Sequence, residues 1–129
     1  MASEMYVDTI AASDGTSPAT LTKQSAAKMF IDAEDGLASI LKSLNVSSLD
    51  DDGTGDGGVN LVSSMDGANY AVSTGMHDNG AATIVKDCTV TDGTQAASSF
   101  DFETAYVNAA TNRTNEDTRV HFTIHGDLA

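Results

Sequence analysis

The chain has 129 residues, with six Lys plus Arg against nineteen Asp plus Glu and a formal net charge of −13 at pH 7. That balance excludes the basic footprint of a phosphate-binding protein and an anionic membrane surface, so neither nucleic acid nor membrane is expected as a partner. Leu, Ile, Val and Phe total only 25 residues, a border composition at this charge, but they alternate along the chain, which reads as one folded β-domain with a thin core.

Residues 1–22 read as an extended attachment arm, and residues 23–129 as the β-domain. In the arm, Tyr6, Val7, Asp8, Thr9 and Ile10 could form one short strand. Too few apolar residues accompany it to build a core, so its use would be addition to the edge of another sheet. The first six residues, Met-Ala-Ser-Glu-Met-Tyr, contain neither a basic region nor an apolar core and do not read as a signal peptide. No run approaches the ~18 apolar residues of a membrane span. Assembly in a cytosol is the resulting expectation.

Thr22 to Lys28, with Lys, Gln and two Ala, is the one short helix expected. Leu37, Ile40, Leu41 and Leu44 stand at helical spacing, whereas Ile40, Leu44 and Val46 share strand parity, and strand is preferred. Leu44 to Gly75 reads as strand, turn, strand, turn, strand. The acidic run from Asp50 to Gly58 is expected to be a turn with no regular element. Val59 and Leu61 then alternate with Asn60, and Tyr70 and Val72 with Ala71 and Ser73. Turn signals stand at Asp66-Gly67, Asn79-Gly80 and Asp92-Gly93.

Ser99 to Val107 is the clearest strand, with Phe100, Phe102, Thr104 and Tyr106 on one face. Arg119 to His125 directs Val120, Phe122 and Ile124 inward. The expected fold is all-β, an antiparallel sandwich or barrel-like domain preceded by the arm and its short helix. Asp-Gly-Thr recurs at residues 14, 52 and 92, and shared turn chemistry explains it better than a repeat, because the flanking sequences barely match.

No residue is expected to be catalytic, and no metal or cofactor is expected. Asp50, Asp52, Thr54 and Gly55 occupy the first, third, fifth and sixth positions of a calcium-loop pattern, but its twelfth position is Leu61 instead of Glu. His121 and His125 lie about 13 Å apart on a strand, too far for one ion. Asp101 and Glu103 share a strand face at about 7 Å, a spacing seen in inverting glycosidases, but two acids on a wet face are far commoner. Cys88 is the single cysteine, so no intrachain disulfide forms, and it reads as a small buried hydrophobe beside Val90. Asn45-Val46-Ser47 and Asn112-Arg113-Thr114 match a glycosylation pattern that matters only in a secretory pathway.

The words around Leu44–Gly75 resemble a module of bacteriophage appendage proteins, chiefly tail fibres. There a segment of the type S-F-N-V-S-S-I precedes D-x-G-T-G-x-Y-x-V-N-F and then M-x-x-A-N-Y-x-V. Here the corresponding words are Leu44-Asn45-Val46-Ser47-Ser48-Leu49, Asp52-Gly53-Thr54-Gly55-Asp56, Val59-Asn60-Leu61 and Met65-Asp66-Gly67-Ala68-Asn69-Tyr70-Ala71-Val72. Ser25 to Asp32 is similar to the family's A-A-K-A-W-V-N opening, and Val120 to Ala129 to its closing strand. Asp14 to Pro18 and Leu21 to Gln24 resemble the start of such a module. The chain departs from the pattern at Phe30, where the family has Trp, at Gly57-Gly58, where it has an aromatic, and at Asp35-Gly36, where its turn is longer.

The resemblance implies a virion structural protein. It would be a small homotrimeric appendage or capsid decoration, such as a head fibre, cement protein or short fibre, anchored through its arm and not an enzyme. The partners it implies are further copies of the chain and other virion proteins, such as the major capsid protein or a tail component. The alternative is a receptor-binding module of a tail fibre, gripping host surface glycan through Met76 to Gly80 and Ala109 to Asp117.

Overall fold

A computed structural model describes residues 27–77, 85–107 and 113–129. The arm strand Tyr6–Ile10, most of the expected helix and the Asn79-Gly80 turn lie outside the described residues. Nine strands follow in order: β1 (Met29–Ala33), β2 (Ile40–Leu44), β3 (Val46–Gly53), β4 (Asp56–Leu61), β5 (Ala71–Met76), β6 (Val85–Val90), β7 (Ser99–Val107), β8 (Thr114–Asn115) and β9 (Val120–His125). One 3-10 turn, Asp35–Leu37, joins β1 to β2. All pairings are antiparallel, in two sheets ordered β2-β1-β9-β5 and β3-β4-β7-β6, with β8 also on β7.

The core is one layer between these sheets. Met29, Ile31, Ala33, Val120, Phe122 and Ile124 come from the first, and Val59, Leu61, Phe100 and Phe102 from the second. Alternation therefore works as expected in β9 and in β7 as far as Thr104; beyond it Ala105 is buried and Tyr106, expected on the core face, is only half-buried. Phe122 is the contact between layers: its ring centroid lies 5.5 Å from Phe100, edge-on, and 4.6 Å from Phe102. Cys88 is partly buried against this core, and burial pushes its thiol up to about 12, which keeps it an unreactive hydrophobe.

Three expectations are corrected. The helix does not reach its expected end, because Lys28 is not helical and its N–H donates to the Ile124 carbonyl at 2.8 Å, prolonging the β1–β9 ladder. Ile40, Leu44 and Val46 do not share one strand. Asn45 interrupts them with φ 59°, and the chain passes from one sheet to the other there. The Asn45 side chain fixes that corner: its Oδ1 accepts from Ser63 N at 2.7 Å, and its Nδ2 donates to Ser63 O at 3.0 Å.

The acidic run is also mostly strand. Asp50 pairs with Gly58, Asp51 with Gly57 and Gly53 with Asp56, which reduces the turn to Thr54-Gly55. Side chains from other elements fill the space above the two glycines. A Cβ at residue 57 would stand 2.3 Å from Leu37 Cδ1, and one at residue 58 would stand 3.0 Å from Asp101 Oδ1. Glycine thus belongs to this ladder because its neighbours need the volume. The two described Asp-Gly-Thr segments both have the glycine at positive φ, but they do not share one turn as expected: Gly53 ends β3 with φ 133°, and Gly93 stands within a turn with φ 79°.

Candidate functional site

Four consecutive residues between β8 and β9 tie one end of the sandwich together, each through a different partner. Glu116 accepts from Lys86 Nζ of β6, and that ammonium lies 6.0 Å from the Tyr106 ring. Asp117 Oδ1 accepts from Gly55 N at the β3–β4 tip at 2.8 Å. Thr118 Oγ1 donates to the His77 carbonyl at 3.0 Å. Arg119 holds Asp32 of β1 with both arms of its guanidinium, Nε to Oδ1 at 2.8 Å and Nη2 to Oδ2 at 2.5 Å.

Thr104 is the junction beneath this segment. Its N–H donates to Gly55 O at 2.7 Å, its carbonyl accepts from Glu116 N at 3.1 Å, and its hydroxyl donates to Glu116 O at 2.6 Å. At this residue β7 exchanges one neighbour, the β3–β4 hairpin, for another, β8. Gly55 has φ 69°, and a Cβ there would stand 2.4 Å from Thr104 O, so the close approach requires glycine.

Beside the tether lies a polar row across the outer face of the first sheet. Lys42, Asp32, His121 and Gly75 are successive cross-strand partners. The Arg119 guanidinium holds the Asp32 carboxyl below the usual carboxylate range, with smaller contributions from His77 and His121. The His77 and His121 rings meet edge-on at 5.6 Å. His125 lies farther along β9 and takes no part in that contact, so the histidines brought together are 77 and 121, on neighbouring strands.

The second sheet carries an acidic outer face. Asp101 faces the Asp50–Asp56 hairpin across Gly58, so the calcium-like run and the Asp101/Glu103 pair become parts of one surface. Burial, and then the charges of Asp52, Asp56 and Asp50, push the Asp101 carboxyl up. Glu103 is engaged differently: Arg113 Nη1 donates to it at 2.7 Å, while Arg113 Nε reaches Asp87 at 3.2 Å. Asp50 Oδ2 accepts from Asn60 Nδ2 at 2.7 Å. Among the described residues no three His, Cys, Asp or Glu side chains form a group that could hold a metal ion.

Of the two segments weighed for glycan binding, Met76, His77 and Arg113–Asp117 are described. Arg113 and Glu116 bind the protein's own strands and Asp117 the β3–β4 turn through their side chains, and His77 is tied through its carbonyl and its ring. The tether at residues 116–119 was not foreseen. Its only signal in the sequence is four polar residues before a clean strand, Glu116-Asp117-Thr118-Arg119, and their partners lie up to 87 positions away. No protein family, no curated protein and no solved structure matches the chain.

Proposed function

We propose that this chain is a phage virion structural protein: a small homotrimeric appendage or capsid decoration, attached through its N-terminal arm. The observation that carries the reading is the position of the resembling words in the fold. Leu44–Leu61 spans β3 and β4 with the tight tip between them, Met65–Val72 leads into β5, Met29–Asp32 lies in β1, and Val120–His125 is β9. Words separated along the chain thus belong to one sandwich. The single-layer core adds support, since burial between subunits would supplement it. A domain of about 100 residues is only a few nanometres across, which suits a head fibre, cement protein or short fibre better than a long tail fibre.

Imaging particles made with and without the protein tests this. Threefold density at fixed sites on head or tail, absent from particles made without it, is the expected result. Failure to co-purify with particles overturns the reading. The glycan-binding alternative predicts specific signals on a glycan array, and the use of the described loop side chains as internal tethers weighs against it.

A further inference from the structure

Each sheet of a sandwich has two outer strands, and unpaired edges invite other strands. β3 carries Asp50, Asp51 and Asp52. β5 and β6 lie against one another, with Thr74 Oγ1 donating to Cys88 O at 3.2 Å. β2 has neither protection. Among the described strands it pairs with β1 alone, all five of its residues are exposed, and it is the one strand with a Lys and no carboxylate. Ile40, Leu41 and Leu44 are 38%, 43% and 50% exposed.

The described chain begins beside this edge. Phe30 stands opposite Leu44, and 26 residues precede Ala27. We propose that Tyr6–Ile10 of the same chain adds to the edge of β2 that no described strand covers, as a fifth strand of that sheet. The two five-residue segments complement each other. β2 has Lys42 at its centre between apolar ends Ile40 and Leu44, and Tyr6–Ile10 has Asp8 at its centre between Tyr6 and Ile10. Centred pairing in either direction sets Asp8 opposite Lys42.

Reach favours the chain's own arm over a second copy. Residues 11–26 form a connector of 16 residues, about 50 Å when extended, against an edge about 13 Å long. Such a tether supplies an effective concentration in the millimolar range. A second β2 is a poorer occupant, because centred antiparallel pairing sets Lys42 opposite Lys42. The inference rests on reading the arm as the anchor, and it adds a control. The free protein holds its anchor on its own sheet and releases it to an edge on the particle.

Hydrogen exchange of the peptide spanning Ile40–Leu44 tests this in the full-length chain. The comparison is with Val7→Pro/Asp8→Pro, which removes backbone donors on both sides of the arm strand. The β2 amides are expected to exchange about tenfold more slowly in the unsubstituted protein, unchanged across about a tenfold range of protein concentration. Equal exchange in the two proteins overturns the inference. So does protection that rises with concentration, which would assign the strand to a second copy. Particle incorporation of the same variant separates the two claims: equal β2 exchange with lost incorporation removes only the self-docked arm, and protected β2 with normal incorporation removes only the anchor.

Discussion

The imidazole of His121 occupies the space that a side chain at residue 75 would need: a Cβ on Gly75 would stand 1.9 Å from His121 Nε2. The same strand pair sets His121 against Gly75 in register, so the missing side chain on β5 lets the ring of β9 lie across the sheet and meet His77.

The obstacle at residue 75 is an exposed ring that can turn away, whereas at residue 55 it is backbone. Gly75→Ala is therefore expected to cost less than about 1 kcal/mol and to remove the His77–His121 ring contact, read from histidine ring shifts by NMR. Gly55→Ala is expected to cost about 3 kcal/mol or more, because it adds a strained φ to a clash with Thr104 O and Glu116 N. Equal costs by urea denaturation would refute the distinction.

The Asp32–Arg119 pair makes stability depend on acid in a stated direction. The folded carboxyl titrates below its unfolded value, so its contribution is present above about pH 4 and is lost as pH falls through the lower folded value. Between about pH 5 and pH 2 the melting temperature of Asp32→Asn should fall less than that of the unsubstituted protein. Parallel curves would show that the pair adds nothing.

Asp101 has the opposite sign. Its carboxyl is pushed up, so the folded state binds its proton more readily than the unfolded chain, and stability rises as pH falls through the folded value. Asp101→Asn should raise the melting temperature at pH 7 by roughly 2–3 °C, with a smaller gain in high salt. Calcium should change melting little, since Asp50 and Asp52 lie in a paired strand. A shift of several degrees at millimolar calcium, abolished by Asp52→Ala, would contradict this.

Phe122 touches both aromatic rings of the opposing sheet and is 1% exposed. Phe122→Ala should cost about 3–5 kcal/mol, enough to unfold most of a marginal domain at 37 °C by circular dichroism. A variant that melts within a few degrees of the original would mean that the rings repack.

The proposed trimer predicts a mass near three times 13.3 kDa by light scattering after size exclusion at micromolar concentration. A thermally stable monomer would count against the trimer and against the argument from core size.

Alternation alone specified β9 and β7 from Ser99 to Thr104, because one face of each is covered and the other wetter, and a period of two records that directly, whereas Ala105 is buried against that period. It also identified Phe100, Phe102, Phe122 and Ile124 as core. The Asp50–Gly58 strands could not be read this way. Two adjacent glycines have no intrinsic preference for strand; the ladders to β3 and β7 hold them there, and Leu37 and Asp101 fill the space that side chains would need. The hand-over at Asn45 was equally hidden, since it depends on the backbone of Ser63, 18 residues away. The tether at Glu116–Arg119 belongs wholly to tertiary structure. Local sequence recorded four polar residues before a strand, and only the folding of β1, the β3–β4 turn, the residue after β5 and β6 around them supplied the carboxylate, amide, carbonyl and ammonium they bind, since hydrogen-bond partners are chosen by proximity in space and periodicity carries no trace of them.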